Sequence, residues 1–182
     1  QQAGLDPYPC AGSVRACRAK DARERRGLYP AVPYLSDAKL SNEDVRALFA
    51  YFMKSVPDVH RENKKSTIPW PLNMRWPLSF WNELFVPAGQ YVQDSAHDEQ
   101  WNRGAYLVET AGHCGACHTP RSLAFNEKGM NSHSSQFLSG ALIDHWFAPS
   151  LRNDPNTGLG RWNEQDIFDF LNTGRNSHAV VF

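Results

Sequence analysis

The stretch ETAGHCGACHTPRS, residues 109–122, holds Cys114, Cys117 and His118 as C-x-x-C-H, with a further histidine at His113. On one helical turn, cysteines three apart point their sulfurs to the same side. Both can then form thioethers with the vinyl groups on one part of a porphyrin rim, while the adjacent histidine reaches the iron. Gly115 and Ala116 are short and would let the backbone pass close to the ring. Three other readings stay open. His113, Cys114, Cys117 and His118 are four potential zinc ligands, although structural zinc sites draw ligand pairs from separated segments. A redox dithiol would need a βαβ context, which is not visible. The last alternative is a chance or purely structural pair.

The neighbourhood favours heme. Upstream, HDEQWNRGAYLVETAG (97–112) predicts a helix: Asp98 and Glu99 suit its start, Trp101, Ala105, Tyr106 and Val108 give an apolar side, and Gly112 can end it. Downstream, residues 119–160 are loop-rich, and WNEQDIFDFLNTGR then resumes a helix with Ile167, Phe168 and Leu171 on one face and Gly174 as its stop. Nearer the start, SNEDVRALFAYFMKSV predicts an amphipathic helix over 42–55, capped by Ser41, with Val45, Leu48, Phe49, Phe52 and Met53 at helical spacing. Between these, residues 57–98 interleave Pro57, Pro69, Pro71, Pro77 and Pro87 with Trp70, Trp76, Phe80, Trp81 and Phe85. That density of proline excludes long regular structure, and the aromatics call for burial, so a packed connector with a short helix around 78–84 is expected. No strand is predicted.

Composition narrows the function classes. The chain has 182 residues, 41% of them hydrophobic, with 19 basic against 19 acidic side chains. Such a balance gives no bulk charge for nucleic acid or an acidic membrane surface. No apolar run is long enough to span a bilayer, and QQAGLDPYPC lacks the basic start and apolar stretch of a signal peptide. Cys10 and Cys17 are seven apart and followed by Arg18, a spacing that does not make a second attachment motif.

WNRGAYLVETAGHCGACHTPR, followed by FLSGALIDHWFAPSL and TGLGRWNEQDIFDFLNTGR, resembles the multiheme cytochrome c subunits of periplasmic membrane-bound dehydrogenases of the alcohol, aldehyde, gluconate and nicotinate type. LYPAVPYLSDAKLSNEDVRALFAYFMKSV resembles the end of their first heme module, and IPWPLNMRWPLSFWNELF their inter-module connector. The resemblance implies an all-α, loop-rich architecture of class I cytochrome c modules. Residues 1–27 would be an irregular arm, 28–60 the remnant of a first module, 61–94 a proline/aromatic connector and 95–182 the heme-binding module. It also implies one heme c, electron relay without a catalytic residue of its own, and a dehydrogenase catalytic subunit as partner. Quinone or a downstream cytochrome would accept the electrons, in the periplasm, with membrane association through the complex.

Within that frame Cys114 and Cys117 are the anchors and His118 the proximal ligand. Pro149 resembles the loop proline whose carbonyl orients that histidine; an ordinary turn proline is the alternative. Trp162 and Arg121 could donate to heme propionates, against core packing for the first and a solvated charge for the second. Tyr106 and Phe168 would form apolar wall. The family's axial methionines are missing: Val32 stands where the first module commonly has one, and the expected Gly-Pro-Met segment would follow Phe182. Met53 and Met74 precede the motif, and Met130 follows it closely. The resemblance therefore implies a chain that begins late in the first module and stops inside the second. His133, His145 and His178 are the histidine substitutes, with His178 nearest the family's ligand segment. An open iron position would instead suggest small-ligand binding or peroxide reduction, and a heme-free chain a zinc-binding or interaction module.

Overall fold

The structure, a computed structural model, describes residues 33–57, 59 and 67–178. The expected arm over 1–27, with Cys10 and Cys17, and Val32 lie outside the described residues. The chain divides into two compact units, residues 1–113 and 114–182.

In the first unit, α1 (Tyr34–Asp37) is one turn whose start is set by Pro33: its carbonyl accepts the N–H groups of Ser36 and Asp37, each at 3.0 Å. The next helix, α2 (Asn42–Ser55), has the bounds predicted from sequence, and the Ser41 hydroxyl accepts the Asp44 N–H at 3.0 Å. This contact satisfies one of the amide donors that every helix start leaves without an intrahelical partner. Of α2, only Val45 is buried; it joins Leu35, Ala38 and Leu40 in a small apolar core. Full burial of such a leucine or valine contributes about 1.5–3 kcal/mol. Leu48, Phe52 and Met53, expected on the covered face, are exposed, because this core extends along only the first turn of α2.

Helix α3 (Pro77–Phe85) begins with Pro77 at its first position, where a missing N–H costs no hydrogen bond. The expectation that the connector's aromatics pack away holds for Trp81 and Phe85, half-buried with ring centroids 5.3 Å apart. It fails for Trp70, Trp76 and Phe80. Trp76, Phe80 and Leu84 recur every four residues and form one exposed stripe.

Helix α4 (Glu99–Glu109) is capped by Asp98, whose carboxylate accepts the Trp101 N–H at 2.8 Å. Buried Asn102 anchors the approach to it: its carbonyl accepts from the Asp94 N–H (2.7 Å) and the Tyr91 hydroxyl (3.2 Å), and its amide donates to the carbonyls of Asp94 and Asp98 at 2.9 Å. At the other end, Glu109 and Lys39 form a buried ion pair at 3.0 Å. The helix stops three residues before Gly112, where the sequence suggested its end. Thr110, with none of its surface exposed, turns its hydroxyl back onto the Tyr106 carbonyl at 2.6 Å.

The second unit opens with α5 (Gly115–His118), a single turn, and ends with α6 (Glu164–Thr173). A reciprocal cap starts α6: the Asp166 N–H donates to the Asn163 side chain at 2.9 Å, and the Asn163 N–H to the Asp166 carboxylate at 3.0 Å. Gly174 stops it at φ 72°, a left-handed conformation that favours glycine. Between these helices lies an antiparallel ribbon, β1 (Ala141–Ile143) and β2 (Trp146–Ala148), with Ala141 opposite Ala148 and Leu142 opposite Phe147. The ribbon corrects the strand-free expectation. Its strands are three residues long, too short for an alternation signal. Its turn residues, Asp144 and His145, take positive φ of 45° and 71° without the glycine that marks such turns in sequence. The described residues are otherwise helices and connecting segments.

Candidate heme-attachment site

The C-x-x-C-H turn forms because residues 114–119 close on themselves: the Cys114 carbonyl accepts the His118 N–H at 3.0 Å, and the Gly115 carbonyl the Thr119 N–H at 3.0 Å. Cys114 is half-buried and Cys117 exposed, both as thiols. Burial pushes the Cys114 thiol above its ordinary pKa, with the Cys117 charge adding in the same direction. That is opposite to the lowered pKa of a reactive redox dithiol. Among the described residues no three His, Cys, Asp or Glu side chains are arranged to hold a metal ion, so the four-ligand zinc arrangement of His113, Cys114, Cys117 and His118 is not formed.

Gly115 also has a reason within the unit itself. A Cβ there would lie 2.8 Å from the Glu127 carboxylate and 3.1 Å from the Phe137 ring, both of them buried. Glycine lets the turn seat on these side chains.

His118 is oriented from the second unit's own loop. Its Nδ1 lies 2.7 Å from the Pro149 carbonyl oxygen. A carbonyl can only accept, so Nδ1 carries the hydrogen and the lone pair is left on Nε2, the state a metal-bound imidazole requires. Pro149, singled out from sequence, is therefore brought onto the predicted proximal histidine across 31 residues of chain.

Arg121 donates to the Ala116 carbonyl at 2.9 Å and the Phe125 carbonyl at 2.8 Å, bracing the attachment turn against the next loop. Trp162 meets Phe170 edge-on at 5.2 Å and stacks on His178 at 5.7 Å. The His178 Nε2 also lies 3.4 Å from the Asp166 carboxylate. His145 sits exposed at the ribbon's tip, and His133 is exposed as well. Tyr106 donates its hydroxyl to Asp44, accepts the Ser41 N–H at 3.1 Å, and packs edge-on to Tyr91, which ties α4 to the start of α2 within the first unit.

The second unit offers uncovered apolar surface that a large apolar group could use. In the second unit the buried apolar side chains among the described residues are Phe137 and Ala141. Leu142 and Phe147 of the ribbon and Ile167, Phe168 and Leu171 of α6 present their apolar surface outward; Phe168 is 61% and Leu171 79% exposed.

Sequence reading missed the residues that hold His118 and Pro149 in place. Thr119 is fully buried and accepts the Leu138 N–H at 3.0 Å; Arg152 donates from Nη1 to the carbonyls of Ser134, Ser135 and Phe137 at 3.2, 2.9 and 3.1 Å. Their partners are backbone groups, which carry no sequence signal.

The chain is 48% identical over 183 residues to the gluconate 2-dehydrogenase cytochrome c subunit of Pantoea cypripedii, covering 98% of the chain and 42% of that protein. It is 47% identical over 182 residues to the alcohol dehydrogenase (quinone) cytochrome c subunit of Gluconacetobacter polyoxogenes, and 44% identical to that of Gluconobacter oxydans (strain 621H), covering 98% of the chain and 39% and 38% of these proteins. No family model matches the chain. The class these homologues define is the c-type cytochrome, in agreement with regular elements that, among the described residues, are helices and one short ribbon. In particular, the chain is homologous over almost its whole length to cytochrome c subunits of dehydrogenases, and spans about two fifths of the length of the relatives it matches.

Proposed function

We propose that this chain binds one heme c covalently and passes electrons for a dehydrogenase. Cys114 and Cys117 would form the two thioethers and His118 the axial bond, with Pro149 fixing its tautomer and ring direction. The bound heme would supply the one-electron redox chemistry; the protein contributes ligands, apolar cover and an exposed edge. The observation that carries the reading is the hydrogen bond from His118 Nδ1 to the Pro149 carbonyl at 2.7 Å, on the same turn that presents both cysteines. Leu142, Phe147, Ile167, Phe168 and Leu171 supply apolar surface for the ring faces.

The relatives named above are cytochrome c subunits of gluconate and alcohol dehydrogenases. By that likeness the donor is a dehydrogenase catalytic subunit, the acceptor quinone or a further cytochrome, and the compartment periplasmic. No helix of the described residues is long and apolar enough to cross a membrane. Membrane association is proposed to run through the complex. Residues 95–182 are proposed as the heme module, 28–60 as part of a preceding one and 61–94 as the connector.

Replacing both cysteines, Cys114→Ala with Cys117→Ala, is the direct test. Heme that survives denaturing electrophoresis should disappear from the double variant, and its persistence there would sink the assignment. His118→Ala should keep the thioether-linked heme and change its absorption spectrum.

A further inference from the structure

The bond from His118 to Pro149 belongs to a closed circuit. The Pro149 carbonyl is followed at once by two links to a single acceptor: the Leu151 N–H donates to the Leu138 carbonyl at 2.9 Å and the Ser150 hydroxyl to the same oxygen at 3.3 Å. The Leu138 N–H in turn donates to the hydroxyl oxygen of Thr119 at 3.0 Å. Thr119 is the residue after His118, and the circuit closes there. A parallel strut runs from the His118 carbonyl, which accepts the Gly140 N–H at 2.8 Å.

Within the circuit Thr119 is the only member whose side chain joins the attachment turn to residue 138. It has no exposed surface, so no water can replace it. Phe137, next to Leu138, packs under Gly115, and Arg152 fixes the Phe137 carbonyl at 3.1 Å, so the far side of the link is anchored too. If the Thr119 oxygen were lost, Leu138 would keep its bonds to Ser150 and Leu151 but come loose from the histidine's turn. The Pro149 carbonyl would then shift relative to Nδ1.

We infer that Thr119 is a positioning residue: its hydroxyl sets the strength of the hydrogen bond from His118 Nδ1 to Pro149, and through it the electron donation of Nε2 to the iron. A strong bond at Nδ1 makes the imidazole a better donor and favours the oxidised metal; a weaker one moves the potential positive. The inference rests on the heme reading above and adds a residue that acts through the backbone of Leu138.

The test compares Thr119→Val, similar in shape without the acceptor, with Thr119→Ser, which keeps it, both in the heme-loaded full chain. Two readouts apply: the midpoint potential, and the solvent exchange of the His118 Nδ1 proton followed by NMR in the reduced protein. In the valine variant exchange should accelerate by roughly fivefold to tenfold, the loss of one ordinary hydrogen bond, and the potential should move positive. The serine variant should stay with the parent on both. Equal exchange and potential in Thr119→Val and the parent would overturn the inference, as would identical shifts in the valine and serine variants. If Thr119→Val does not accumulate, Ser150→Ala with Leu138 left intact should give the same direction at smaller size, and no change there would also overturn it. A parent chain lacking thioether-linked heme would overturn the heme reading itself, which the mass of the chain distinguishes from failure of the positioning role.

Discussion

The two units keep their shape by opposite means. In the first, side chains bury one another: Leu35, Ala38, Leu40 and Val45 form an apolar centre, and Lys39 and Glu109 make a largely buried ion pair. In the second, backbone groups are knitted by Thr119, Ser150, Arg152 and the Pro149 carbonyl, while Leu142, Phe147, Phe168 and Leu171 turn outward. The first unit leaves apolar side chains uncovered as well, Leu48, Phe52, Trp76, Phe80 and Leu84 among them, so the difference lies at the centre of each unit: packed apolar side chains in the first, backbone groups joined by polar side chains in the second.

The sharpest way to break this contrast is to strike the buried pair. Glu109→Ala removes the carboxylate that faces the largely buried Lys39 ammonium and should destabilise the first unit by about 3–5 kcal/mol. Denaturant unfolding should show this, with hydrogen exchange rising in α1 and α2 before it rises in the ribbon. Exchange rising uniformly would mean the two units unfold as one.

Gly115→Ala strikes the second unit. The added methyl meets the Glu127 carboxylate and the Phe137 ring at 2.8 and 3.1 Å, and should cost about 1–3 kcal/mol by overpacking, with the yield of covalent heme reduced. Unchanged thermal stability would mean that the turn can lift off Phe137. Asn163→Ala removes one half of the α6 cap and should cost about 1 kcal/mol, read as local exchange in α6.

The smallest effect expected is a divergence in acid. Desolvation raises the pKa of Asp37 in the first unit, with His113 partly opposing it. Its charged form is thus penalised on folding, and the penalty is relieved as pH falls through the raised value. Asp166 and Asp154 in the second unit are lowered, chiefly by backbone N–H donors: Asn163 for the former, Thr157 and Asn156 for the latter. Their contribution is present above the ordinary carboxylate pKa and lost as pH falls through the lowered values. Acid titration followed by NMR should loosen α6 and the 154–157 turn while α1 holds; loss of α1 first would contradict the assignment.

Local chemistry made some elements legible. The α2 bounds, the Asp98 and Asn163 caps and the Gly174 stop each depend on residues within a few positions, and the sequence displays them directly. C-x-x-C-H is legible for the same reason, since its spacing alone places two sulfurs and an imidazole on one turn. The exposed Trp76–Phe80–Leu84 stripe was not, because periodicity shows which side chains share a face and cannot show what covers that face. The ribbon was missed because Asp144 and His145 take a conformation that glycine usually announces.

By itself, then, the sequence determined the four longer helices to within a few residues and the C-x-x-C-H turn with His118 as its metal-binding candidate. Only the tertiary structure decided how that histidine is held. Pro149, Leu138 and Thr119 meet through carbonyl, amide and hydroxyl groups brought from distant positions, and a backbone partner is the same atom whatever residue carries it.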